Sequence, residues 1–116
     1  MRVLIFGENT DCKQISDYLN NYGSNIYTHT NNPDELLHKL AVNSFDLIII
    51  ISDGAFGMER VIAARKLCPD TTLFWFSNDK DFGAQAYRLN CNYFSTKPVT
   101  DQKLDKAIKI FKAKAG

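Results

Sequence analysis

The chain predicts an α/β fold: a three-layer sandwich in which one parallel sheet of five strands lies between two layers of helices. Three observations carry this. Short apolar runs alternate with segments of helical period from one end of the chain to the other. The run Leu47 to Ile51 is broken by no polar residue, which marks a strand buried on both faces of a parallel sheet. At 116 residues, with 45% hydrophobic and 23% charged, residues 1–116 have the size and composition of one folded domain, not of a disordered segment.

Arg2-Val-Leu-Ile-Phe6 is closed by Gly7 and forms the first strand. Asn9-Thr10-Asp11 offer cap residues before Ile15, Tyr18, Leu19 and Tyr22 recur at helical spacing. Gly23 stops that helix, and residues 25–30 form a short second strand around Ile26, Tyr27 and Thr28. Asn32-Pro33-Asp34-Glu35 joins a capping Asn, a proline at the first helical position and acids in the first turn, so a second helix runs to about Val42. After the central strand at 47–51, Gly54-Ala-Phe-Gly57 reads as loop. Met58, Val61, Ile62 and residues 64–67 then mark a third helix ended by Pro69. Residues 72–77 give the fourth strand, 81–89 the fourth helix, 92–96 the fifth strand, and 100–114 a last helix capped by Thr100.

This alternation implies right-handed crossovers and fits the flavodoxin-like strand order 2-1-3-4-5, with Val3, Ile5, Leu47, Ile49, Phe74 and Phe76 buried. Ligands in such sheets gather outside the carboxyl ends of the strands, where the first and third strands part. Glu8 and Asp11 follow the first strand, Asp53 the third, Ser77 the fourth and Lys97 the fifth. Carboxylates around a crevice can hold a magnesium ion, a hydroxyl can orient a phosphoryl oxygen, and a lysine can pair with its charge. The layout is one that handles phosphate, although polar residues line the strand ends of any such fold.

Composition excludes other classes. The longest apolar run, Leu47 to Ile51, falls far short of the ~20 residues of a membrane span. The four apolar residues after Arg2 lack the length of a secretory leader, so a cytoplasmic protein is expected. Cys12, Cys68 and Cys91 share no metal-ligand spacing, and neither a disulfide framework nor a zinc site is expected. Net charge is +1, yet residues 97–116 hold six Lys against two Asp. That density reads as a solvated helix face, and no direct binding of nucleic acid is expected.

The stretch from Leu73 to Val99 resembles the C-terminal half of response-regulator receiver domains of two-component signalling: an apolar strand ending in a hydroxyl residue, an Ala-containing helix, and an aromatic two residues before the Lys97-Pro98 pair. Residues 2–9, 45–51 and 57–59 resemble the first half, and the nearest likeness is to receivers with a LytTR-type DNA-binding output. The resemblance implies that Ser77 is the hydroxyl that follows the phosphoryl group, Lys97 the cation beside it, and Phe94 the switch aromatic. It implies a cis bond before Pro98, Mg2+ held by Glu8 and Asp53, and a histidine kinase or other signalling protein as partner. It also implies an output domain or second copy docking on the face made by helix four, strand five and helix five.

Two positions depart from the family. Receivers carry adjacent acids after the first strand, and here Gly7-Glu8 keeps only the second. The acceptor Asp closes a D-x-x-x-x-D pattern that, counted from Asp46, ends at Ile51. Asp53, the candidate phospho-acceptor, lies two residues later, reached by letting the strand run on and shortening the loop that follows it, Gly54-Ala-Phe-Gly57. The expectation is therefore a pseudo-receiver that is not an enzyme and acts through protein–protein contacts; the alternative is phosphorylation of Asp53 by a kinase. A flavin binder would need a hydroxyl-rich loop where Gly7-Glu-Asn-Thr-Asp11 stands, and a Cys-phosphorylated transport component would need Cys12 directly after the first strand. His29 and His38 read as surface residues away from the crevice, Trp75 and Cys91 as packing residues, and Cys68 as a helix end without chemistry. On the last helix, Leu104, Ala107, Ile108 and Phe111 face the sheet, which leaves Ile110 exposed among lysines with Arg88, Asp101 and Asp105 near its rim.

Overall fold

A computed structural model describes residues 1–115. Its elements are β1 (Arg2–Phe6), α1 (Asn9–Leu19), β2 (Ile26–Thr30), α2 (Pro33–Val42), β3 (Leu47–Ile51), α3 (Gly54–Leu67), β4 (Thr72–Ser77), α4 (Gly83–Arg88), β5 (Tyr93–Thr96) and α5 (Asp101–Ala115), with single 3-10 turns at Asn20–Tyr22 and Lys80–Phe82. All strand pairs are parallel, in the order β2-β1-β3-β4-β5. Among the described residues no helix is long and apolar enough to cross a membrane.

The period of two along each strand divides the core into two layers. Val3, Ile5, Leu47, Ile49, Ile51, Phe74 and Phe76 pack against Cys12, Ile15 and Leu19 of α1 and Leu104, Ala107 and Ile108 of α5. Their neighbours Leu4, Phe6, Ile48, Ile50, Leu73 and Trp75 pack against Leu36 and Leu40 of α2, Val61 and Ala64 of α3, and Ala86 of α4. The six strand residues expected in the core are all at most 1% exposed. β3 and β4 are buried along their whole lengths, which is why the central run shows no alternation.

Several local readings hold and others need correction. Asn32 caps α2 by accepting the Glu35 N–H at 3.0 Å, and Thr100 accepts the Lys103 N–H at 3.2 Å. Gly23, at φ 117°, ends the turn after α1. Asn9 to Asp11 form the first turn of α1 instead of capping it; Glu8 holds the cap position without a side-chain bond. The fourth helix starts at Gly83, not 81, because Asp79 accepts the Asp81 N–H and sets a 3-10 turn before it.

The largest correction concerns α3, which begins at Gly54, so Gly54 to Gly57 is helix and not loop. Gly54 enters it at φ 53°, a conformation costly for any residue with a Cβ. A methyl at Gly57 would stand 2.1 Å from the Ser52 carbonyl oxygen and 2.8 Å from Trp75 Nε1. The first turn therefore seats directly on the backbone leaving β3, and Trp75, fully buried, donates its indole N–H to that same Ser52 oxygen at 2.9 Å. Gly57→Ala should lower stability by about 1–3 kcal/mol or more in chemical denaturation; a loss under about 0.5 kcal/mol would show that this contact is soft.

Candidate functional site

The carboxyl ends of the strands enclose a cleft of about 200 Å³ whose lining includes Gly7, Glu8, Asp11, Ile51, Asp53 and Lys97. Ile51 is the last residue of β3 and follows Leu47 and Ile49 to the α1/α5 side of the sheet. Its side chain lies over Gly7: a Cβ there would be 3.1 Å from Ile51 Cβ and 3.5 Å from Cδ1. The two positions at which the resemblance looks for carboxylates thus hold a glycine and a branched alkyl group in mutual contact. Burying an unpaired carboxylate between them would be costly.

Asp53 occupies the N-cap position of α3, yet its side chain does not cap that helix. Its Oδ1 accepts the Asn78 N–H at 3.0 Å and lies 3.3 Å from Lys97 Nζ. The missing cap comes from another strand. Ser77, fully buried at the end of β4, accepts the Gly54 N–H at 3.0 Å and the Asp79 N–H at 3.3 Å on its hydroxyl oxygen. The Lys97 N–H donates to the Ser77 carbonyl at 2.8 Å, so the links that follow β3, β4 and β5 are tied together.

Phe94 of β5 stands edge-on to Trp75, with ring centroids 5.1 Å apart, and Gly83 passes beside its ring. The Lys97–Pro98 bond is cis. Lys103 Nζ donates to the Thr96 and Pro98 carbonyls, and Gln14 donates to Val99 O at 2.8 Å, fixing the turn that carries Lys97.

Glu8 and Asp11 line the cleft with Asp53, but among the described residues no three His, Cys, Asp or Glu side chains converge as a metal-binding group. Residue 7 supplies no ligand and the Asp53 carboxylate is already neutralised by Lys97. A Mg2+ ion keeps most of its waters and takes one or two protein carboxylates; Glu8, Asp11 and Asp53 are the ones on this cleft.

Sequence reasoning did not find three contributors. Trp75 acts as a hydrogen-bond donor, where only packing was expected. Arg65, near the end of α3, donates to the Cys68, Thr71, Leu89 and Asn90 carbonyls and clamps the loops at the opposite end of the sheet. Tyr18 donates to Asp105 and joins α1 to α5. Local spacing gives no signal for the Trp75 and Tyr18 bonds or for the Arg65 bonds to Leu89 and Asn90, whose partners lie 23 or more residues away. His29 is exposed as expected, but its Nε2 lies 3.1 Å from the Gly7 carbonyl oxygen, closer to the crevice than its place in β2 suggested. Burial, with a contribution from Asp11, pushes the Cys12 thiol up to about 12, and burial does the same for Cys91 against the opposing pull of Arg65. Neither supplies a thiolate at neutral pH.

Ser77→Ala would leave the Gly54 and Asp79 N–H groups without their acceptor in a buried setting. A stability loss of about 1–3 kcal/mol is expected, with faster hydrogen exchange at Gly54; unchanged exchange there would show that the hydroxyl is not the cap.

No family model and no curated protein matches the sequence. Solved structures do match. A LuxR-family DNA-binding response regulator from Silicibacter pomeroyi superposes with a TM-score of 0.80 at 20% identity, covering 97% of this chain and 93% of that one. A CheY-like response regulator receiver domain protein from Methanospirillum hungatei gives 0.79 at 18%, covering 98% and 95%. A response regulator receiver domain protein from Clostridium thermocellum gives 0.77 at 23%, again covering 98% and 95%. The chain has the CheY-like, flavodoxin-like fold: five parallel strands in the order 2-1-3-4-5 with five helices.

Proposed function

We propose that this domain is a receiver-type signalling module that works by binding other proteins and whose pocket does not take up a phosphoryl group. The observation that supports this most strongly is the packing of Ile51 over Gly7. Transfer of a phosphoryl group to a carboxylate needs the attacking oxygen in line, with the developing charge balanced by cations. At residue 51 there is no carboxylate, and at residue 7 no acid to help hold a cation. Asp53 carries a carboxylate two residues further, about 6–7 Å along an extended chain, already bonded to Asn78 and paired with Lys97.

The partners that follow from this reading are a histidine kinase or another signalling protein, an output domain, or a second copy of the chain. The surface offered to them is the face of α4, β5 and α5. Ile110 of α5, four residues after Lys106 and next to Lys109, is 39% exposed, and Tyr87 of α4 is 83% exposed. An apolar contact ringed by charges is a suitable interface centre.

A second reading keeps one observation in its favour: Asp53 is solvent-accessible and within 3.3 Å of Lys97, as a phospho-acceptor would be. In that reading Glu8 and Asp53 would share a Mg2+ ion, which supplies charge neutralisation. Incubation with Mg2+ and acetyl phosphate, followed by intact-mass measurement, separates the two. We expect no mass increase; a stoichiometric, Mg2+-dependent acyl phosphate that is absent in Asp53→Asn would establish the second reading.

A further inference from the structure

We infer that the Asp53 carboxylate is an internal substitute for the anion that a receiver pocket otherwise acquires, and that it holds the link after β4, and through it α4, in one fixed arrangement. The inference rests on the proposed reading of the pocket and assigns the regulation of that same site: the domain is set in one state by its own side chain.

The geometry is that of a three-way tie. One oxygen, Asp53 Oδ1, takes a backbone N–H from beyond β4 and a lysine ammonium from the end of β5, while residue 53 itself follows β3. Lys97, which the resemblance assigns to a phosphoryl oxygen, is thus engaged by this carboxylate, and the Ser77 oxygen is held in place by the Gly54 and Asp79 N–H groups. Among the described residues, Asp53 is the one carboxylate paired with Lys97.

The tie passes directly to α4. Asn78 is followed by Asp79, whose side chain accepts the Asp81 N–H at 2.8 Å and whose carbonyl accepts the Phe82 N–H at 3.3 Å. Phe82 then packs edge-on against Trp75, with centroids 5.8 Å apart, and the helix begins at the next residue. Trp75 also holds Phe94, so the start of α4 and the aromatic of β5 share one support. Hydrogen bonds to an ionised acceptor are about twice as strong as neutral ones, which is why a carboxylate, and not an amide, suits this position. An ordinary exposed ion pair would tie nothing and be worth little. The two cases differ in what happens to α4 when the carboxylate is removed.

Hydrogen exchange on the wild type, Asp53→Ala and Asp53→Ala/Lys97→Met tests this, with circular dichroism to verify that the variants fold; Asp53 is about half exposed, and its truncation leaves the core untouched. In Asp53→Ala we expect exchange across residues 78–88 to quicken about tenfold or more, on the scale of one lost charge-assisted bond. Inorganic phosphate at about 50 mM, screening being matched with chloride, should restore slow exchange in Asp53→Ala but not in the double variant. Unchanged exchange in Asp53→Ala, no response to phosphate, or an equal response in the double variant would each overturn the inference while leaving the proposed function standing. An acyl phosphate on wild-type Asp53 would instead remove the reading of the pocket on which it rests.

Discussion

The first turn of α3 lies so close to the end of β3 that only glycine fits at residue 57, where an added methyl would stand 2.1 Å from the Ser52 oxygen. Much of the crevice follows from that approach. It shortens the link between β3 and α3 to Ser52-Asp53, which leaves the helix N-terminus above the sheet and Asp53 at its entrance. It directs the Ser52 carbonyl toward Trp75, whose buried indole N–H satisfies it. It also brings the Gly54 N–H over the end of β4, where Ser77 accepts it. A longer link would free all three.

The chemistry of the pocket is set by which positions at the strand ends are charged. Ile51 and Gly7 line the cleft without charge, and its charged groups are Glu8, Asp11, Asp53 and Lys97. On the proposed reading, a carboxylate two residues further along the chain keeps its charge but not the line of attack on a bound phosphoryl donor, because each step in an extended chain shifts it by about 3.3 Å. The displaced acid remains useful as a hydrogen-bond acceptor, since that role tolerates the distance.

Elements whose determinants are local were legible in the residues. The unbroken run at 47–51 gave the buried central strand, Asn32-Pro33 and Thr100 gave helix starts, and the alternation of strands and helices gave the sheet order. The start of α3 was not legible, because two glycines in four residues read as loop; Gly54 supplies a positive φ and Gly57 a close approach that exists only once β3 and β4 are packed. The site was legible as a collection, Glu8, Asp53, Ser77 and Lys97, and the pairing of Gly7 with Ile51 could be read as two missing acids. That these two touch each other, and that Ser77 caps a helix from a different strand, depends on register across the sheet.

Fold likeness at 18–23% identity says how the backbone runs and leaves the pocket to be judged on its own side chains. On those grounds we propose that the cleft binds a divalent cation only weakly. Paramagnetic Mn2+ titrated into isotopically labelled protein tests this directly, by line broadening at Gly7, Glu8, Ser52 and Asp53. We expect weak, non-saturating broadening spread over the acidic surface; saturable broadening centred on Glu8 and Asp53 at submillimolar Mn2+ would contradict it.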